Sequence, residues 1–208
     1  MIKILAIGDS HIPRRAKKIP LQICDILEKS VLKGKFDYTL FTGDVINAPV
    51  FMNYLKKITK TEILIVAGNM DYFGGNSNAP IYQHMEISLD NKESFTIGLT
   101  HGHQISPRGD HNQLGSLAIK NNYNILISGH THKEDVVLTK DGVLLLNPGS
   151  VTGAWSFVAS RNPSIIVLNL NETTGEIDVF LRLYEIKSSE FKKKKFSFIF
   201  KNETIQKY

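Results

Sequence analysis

Five short polar clusters punctuate this chain, and an apolar run precedes each of them: Asp9-Ser10-His11, Gly43-Asp44, Gly68-Asn69, His101-Gly102-His103 and Gly129-His130-Thr131-His132. An apolar run that stops at glycine and small polar residues reads as a buried strand ending in a turn. The pattern therefore demands a fold in which several buried strands deliver polar side chains from their ends. In open α/β sheets the loops at the carboxyl ends of neighbouring strands converge on one crevice, so clusters far apart in sequence can meet there. Five of the seven histidines fall inside the clusters. Imidazole nitrogens, carboxylates and one amide gathered in that way are the ligands that a two-metal site requires. Each cluster alone is an ordinary polar turn, and only their conjunction carries the inference.

The order of elements supports that geometry. Residues 2–7 read as a buried strand, and Ile19, Ile23, Ile26, Leu27 and Val31 then recur at helical spacing with Gly34 as a stop. A strand over 38–41, a short amphipathic helix over 50–58 and a β-branched strand over 62–67 continue a helix-covered parallel sheet. Beyond residue 87 the connections shorten. Asp90-Asn91-Lys92-Glu93, Lys140-Asp141-Gly142 and Thr173-Thr174-Gly175 each separate two strands, and residues 114–121 form one more helix. The predicted class is α/β shading to α+β, a two-sheet β-sandwich flanked by helices. His84 and His111 read as solvent-facing loop residues and Trp155 as a loop anchor.

Composition sets the remaining bounds. A chain of 208 residues, 42% of them hydrophobic, can bury one sizeable core. The division predicted is a single domain over 1–186 followed by a basic strand or tail over 187–208. One cysteine, Cys24, rules out an intramolecular disulfide framework and fits a reducing compartment. The first seven residues are too short for a signal sequence, and no apolar stretch approaches the roughly eighteen residues of a membrane span. A soluble, cytoplasmic protein is expected. The formal charge of +5 is concentrated in residues 185–208, which hold seven lysines and three glutamates. No aromatic stacking pattern accompanies the lysines at 192–195, which argues against a nucleic-acid groove.

The five clusters in this order resemble the signature of the calcineurin-like metallophosphoesterases, over residues 8 to about 150. That resemblance implies that Asp9, His11, Asp44 and His132 hold one divalent ion, and that Asp44, Asn69, His101 and His130 hold a second, with Asp44 between them. Four imidazoles with oxygen ligands and no thiolate suit manganese, zinc or iron, with manganese or zinc favoured. Many active members of the family carry a histidine directly after the Gly-Asn pair, where it protonates the leaving oxygen; here that position is Met70, which has no proton to give. His103 is the one candidate to replace it, with the steadying of a neighbouring ligand as its alternative role.

A closer resemblance takes in Ile12-Pro13-Arg14-Arg15, Gln104-Ile105-Ser106-Pro107-Arg108-Gly109-Asp110, Ile125-Leu126-Ile127-Ser128, Lys133, Asn147-Pro148-Gly149-Ser150-Val151-Thr152-Gly153-Ala154 and Pro163-Ser164. These residues are similar to those of the retromer-subunit branch of the superfamily, over nearly the whole chain to about residue 186. That branch implies a metal-binding interaction scaffold in endosome-to-Golgi protein sorting. Its implied partners are a large helical-solenoid retromer subunit and endosomal regulators, with only peripheral, indirect membrane contact. The residues at Asp44 and Asn69, often replaced in that branch, stay enzyme-like here, so a divalent-metal-dependent phosphodiesterase of small substrates is the alternative. For a scaffold, Ile166, Val167, Val179 and Leu181 are the candidate docking residues, because alternation along a strand turns half of its apolar side chains to each face.

Overall fold

A computed structural model describes residues 1–74 and 78–208. Strands β1 (Ile2–Ile7), β2 (Phe36–Phe41), β3 (Thr59–Ile65), β9 (Ser164–Leu170), β10 (Glu176–Glu185), β11 (Glu190–Lys201) and β12 (Thr204–Lys207) build a seven-stranded sheet in the order β12-β11-β10-β9-β1-β2-β3. Strands β4 (Tyr82–Ser88), β5 (Ser94–Thr100), β6 (Ile125–Ile127), β7 (Glu134–Leu138) and β8 (Leu144–Pro148) build a five-stranded sheet in the order β4-β5-β6-β8-β7. Three neighbouring strands run parallel in each sheet, β1-β2-β3 at one side of the larger and β5-β6-β8 at the centre of the smaller, while the remaining strands pair antiparallel.

The helices are α1 (Leu21–Val31), α2 (Pro49–Ile58), α3 (Asp71–Gly74) and α4 (His111–Lys120). α1 and α2 cover the outer face of the larger sheet, and α4 covers that of the smaller one. This is the predicted two-sheet sandwich with helices outside.

Why the central strands lack polar alternation follows from the three layers of core. Ile4 and Ala6 of β1 point into the space between the sheets, whereas Leu5 and Ile7 point at α1 and α2. A strand covered on both faces needs apolar side chains at every position.

The same geometry corrects the docking assignment. Ile166, Val179 and Leu181 lie between the sheets and Val167 lies under the helices, none of them more than 4% exposed. They are core, and no partner reaches them in the folded chain. Their alternation turns one set inward and the helices cover the other.

Boundaries shift by a few residues for local reasons. α1 starts at Leu21 because Pro20 has no N–H to join an earlier turn, and α4 starts at His111 because the Asp110 carboxylate accepts from Gln113 N at 2.8 Å. β3 runs over Thr59–Ile65 rather than 62–67, since α2 passes into it directly and Phe36 already pairs with Thr59. His84 lies on β4, not in a loop, although it is exposed. The basic run in β11 is exposed from Glu190 to Lys195, but Phe198, Phe200 and Ile205 beyond it are buried between the sheets.

Candidate metal centre

The carboxyl ends of β1, β2, β3, β5 and β6 all open on one edge of the sandwich, and the five polar clusters follow them there. The first two loops are locked together by backbone bonds: Asp9 N donates to Gly43 O at 2.9 Å and His11 N to Asp44 O at 3.0 Å. Asp9, His11 and Asp44 are consequently fixed as a unit on the larger sheet. His132 comes from the smaller sheet. One ligand atom from each of these four buried residues lies within 4.8 Å of the other three. His11 Nε2 is 3.0 Å from His132 Nε2 and 3.2 Å from Asp44 Oδ2, and His132 Nε2 is 3.3 Å from Asp9 Oδ1.

Five of the loop residues, Asp9, His11, Asp44, His130 and His132, adopt left-handed backbone conformations with φ between 48° and 67°. Non-glycine residues rarely sit there, and such strain collects at functional sites. Glycines, which adopt such torsions without strain, stand beside these residues. Gly43 does carry one, at φ 93°, whereas the role of Gly68 is close approach, because a Cβ there would overlap the carboxylate and backbone nitrogen of Asp44.

Tautomers follow from the partners. A carbonyl oxygen can only accept, so the proton of His132 resides on Nδ1, donated to Ala154 O at 2.9 Å. Likewise the His101 proton is on Nδ1, donated to Thr42 O at 2.7 Å. In both rings it is therefore Nε2 that faces into the site. Around them the buried Asp9 Oδ1 and His11 Nδ1 have no hydrogen-bond partner. Buried carboxylate oxygens and imidazole nitrogens gathered this closely, with Asp9 Oδ1 left without a hydrogen bond, fit a divalent cation, for which they are suitable ligands.

Electrostatics sharpen the contrast among the ligands. Burial pushes the Asp9 carboxyl upward, but the imidazoles of His132, His101 and His11 outweigh it and bring it down to about 2. Burial raises Asp44 to about 6, aided by the Asp9 and Asp71 carboxylates against the opposing pull of His101 and Met70 N. Desolvation pushes His11 and His130 down to about 3, so both rings are neutral. For His132 the Asp9 carboxylate and the Ala154 carbonyl overcome burial, and its basicity rises.

The other sequence-assigned residues lie alongside. His101 Nε2 is 3.1 Å from Asn69 Oδ1, 3.2 Å from His130 Nδ1 and 3.5 Å from Asp44 Oδ2. His103 stands behind them, its ring 5.5 Å from His101 and 6.3 Å from His130, and its buried Nδ1 is without a partner. Burial and His101 lower its basicity. Met70 enters through its backbone only, donating to Asp44 Oδ1 at 2.8 Å.

Sequence reasoning missed the residues that hold the ligands. Asp71, only 3% exposed, accepts from Asp44 N, Ile46 N and Gly68 N at 2.8–2.9 Å and so ties the second and third loops together. Its signal was a carboxylate three residues beyond Gly68, opening α3. Ser150 Oγ donates to Asp9 O at 2.7 Å, and Asn147 Nδ2 donates to Gly129 O at 3.0 Å, which explains why the residues after β8 belong to the site. Trp155 is 44% exposed on the following loop, and its carbonyl accepts from Arg15 Nη1 at 2.8 Å.

A two-sheet sandwich that gathers aspartate and histidine ligands at its strand ends is a metallophosphoesterase-type framework. The chain belongs to the calcineurin-like phosphoesterase superfamily: residues 2–173 match that domain. Among its relatives is a probable metallophosphoesterase from Methanothermobacter thermautotrophicus, 36% identical over 79% of this chain and 84% of that protein. Among solved structures, Vps29 of Cryptosporidium parvum is 32% identical with a TM-score of 0.78, covering 96% of this chain and 98% of that one. Wild-type Vps29 of Entamoeba histolytica complexed with Zn2+ is 29% identical with a TM-score of 0.76, covering 94% and 99%.

Proposed function

We propose that this protein is a metal-binding interaction scaffold of the retromer type, a small subunit that caps a large helical-solenoid partner and engages endosomal regulators in protein sorting. One observation carries the reading. The likeness to Vps29 covers 96% of this chain and 98% of that one, and therefore continues well past the superfamily domain that ends at residue 173. The structural likeness is also greater to Vps29, at a TM-score of 0.78, than to a predicted phosphoesterase of similar coverage, at 0.63. The proposed location is the cytoplasmic side of endosomal membranes, reached through partners. No helix among the described residues is long and apolar enough to cross a membrane.

The proposed ligand set has two parts. Asp9, His11, Asp44 and His132 hold one ion, and Asp44, Asn69, His101 and His130 hold the other, with manganese or zinc as the candidates. Support for the second position comes from His101 Nε2, which faces Asn69 Oδ1, His130 Nδ1 and Asp44 Oδ2, and from Asp44 Oδ2 lying between His11 and His101. When bound, such a pair acidifies a water and polarises a phosphoryl oxygen.

Purification of the tagged full chain from its native organism tests the scaffold reading. A helical-solenoid protein should accompany it in near-equal amount. Recovery of the chain alone, in metal-containing and chelator-containing buffers alike, overturns it.

The enzyme-like positions of Asp44 and Asn69 favour a second reading, metal-dependent phosphodiester hydrolysis. Met70 supplies no proton, so His103 is the side chain left to serve the leaving group. Turnover of an activated phosphodiester with manganese should vanish in His132→Ala and weaken in His103→Ala. Activity unchanged in His132→Ala rules this reading out.

A further inference from the structure

On the far side of the larger sheet, two adjoining cavities of about 330 and 320 Å³ lie between the C-terminal end of α1 and the β10–β11 hairpin, and both are lined by Lys33, Arg182 and Lys193. Register places Arg182 directly opposite Lys193, so two cations face each other across neighbouring strands. Like charges in that arrangement repel.

The neighbouring charges are distributed unevenly. Lys60 pairs with Asp37 at 2.9 Å, Lys192 with Glu185 at 2.7 Å and Lys195 with Asp178 at 2.9 Å. Lys3 spends its ammonium on the carbonyls of Ser30 and Gly34 at the end of α1, and burial together with Arg182 and Lys60 depresses its basicity. Lys29, Lys33, Lys193 and Arg182 make no ion pair among the described residues, and the one acid at the rim outside these pairs is Asp25.

Arg182 is the least ordinary member of the set. Its Nη1 donates to Ser30 Oγ at 2.6 Å, but its Nε is buried without an acceptor. A half-buried guanidinium at the groove with no carboxylate partner differs from a solvated surface lysine. Planar, bidentate donors of this kind match phosphate oxygens, while lysines on flexible stems add charge around them.

We propose that this groove binds a polyanion carrying at least two phosphate groups, with Arg182 seating one phosphate and Lys29, Lys33 and Lys193 the next. The site is separate from the metal centre and does not depend on the function assigned to it. Phosphates of that kind occur on soluble inositol polyphosphates and on phosphoinositide headgroups, and the test separates the two sources.

Titration calorimetry of the metal-loaded full chain with inositol hexakisphosphate, and co-sedimentation with phosphatidylcholine vesicles doped with a phosphoinositide bisphosphate, supply the two arms. Binding should weaken about tenfold in Arg182→Gln, as loss of a charged hydrogen bond implies. The exposed double variant Lys33→Gln/Lys193→Gln, which threatens folding less, should also weaken it severalfold. Binding in the first arm alone identifies a free polyphosphate, and binding in the second alone identifies a lipid headgroup. Absence of binding in both arms, or equal affinity in the wild type and both variants, overturns the proposal.

Discussion

At the scale of single residues, the centre depends as much on a residue that touches no metal as on the ligands. Asp71 satisfies three buried backbone N–H groups, those of Asp44, Ile46 and Gly68, and two of these belong to the loops that set Asp44 in its left-handed conformation. Removal of the carboxylate leaves donors in a dry environment without acceptors. Asp71→Ala should lower stability by on the order of 3 kcal/mol, and Asp71→Asn should lose roughly half of that because an amide oxygen replaces only part of the acceptor capacity. Denaturant melts measure the loss, and both variants should also bind zinc more weakly. An Asp71→Ala protein with unchanged midpoint and unchanged metal affinity would contradict this account. The ligands themselves were legible in the sequence, since histidine and aspartate stand out at strand ends. Asp71 was not, because its three bonds join loops whose proximity only the folded sheet creates. Ser150 was hidden for the same reason, as its hydroxyl meets Asp9 O from a loop 141 positions away.

At the scale of elements, β1 and β2 are held in parallel register partly by Asp37, which accepts from Lys3 N at 2.8 Å and from Lys60 Nζ at 2.9 Å. Burial pushes its carboxyl up, but these donors prevail and hold it below the ordinary carboxylate range. A depressed carboxyl stabilises the fold above its unfolded value of about 3.9, and that contribution disappears as the pH drops through the folded value. The stability gap between wild type and Asp37→Asn should therefore be constant near neutral pH and close on acidification below about pH 4. A gap that widened in acid would reverse the sign. β11 separates two roles that the sequence merged into one basic strand or tail. Its first half is an exposed lysine ribbon, whereas Phe200 in its second half packs against Phe95 with ring centroids 5.1 Å apart. Phe200→Ala should cost about 3–5 kcal/mol, while the exposed Lys194→Ala should stay within about 0.5 kcal/mol. Thermal and denaturant melts distinguish them. The lysine run drew attention in the sequence because charge is local and visible. The burial of Phe198, Phe200 and Ile205 was not legible, because it requires the second sheet to lie across them.

At the scale of the whole molecule, the metal centre is where the two sheets meet through side chains rather than through core. Asp9, His11 and Asp44 are carried by the larger sheet and His132 by the smaller, and the His11 and His132 nitrogens face each other at 3.0 Å. Without a cation, the two rings share one hydrogen bond across the sheets. With a cation, the same four residues become a clamp across the sandwich edge. A cation that binds the folded chain and not the unfolded one adds stability according to its concentration, about 2.7 kcal/mol at one hundred times the dissociation constant. For a domain of this size each kcal/mol shifts the melting temperature by about 2–4 °C, so manganese or zinc should raise it by roughly 5–11 °C, and a chelator should reverse the shift. His132→Ala should abolish most of that response. The metal-free variant should melt below the metal-free wild type only by what the lost imidazole hydrogen bonds to Ala154 O and His11 Nε2 contribute, about 1 kcal/mol each. A chain whose melting temperature ignores divalent ions would mean that the histidine serves the apo fold and not a cation. A melting temperature that rises with the ion and falls again with the chelator places the left-handed strand-end loops in the service of metal binding, and makes ion occupancy a determinant of how firmly the two sheets are held at this edge.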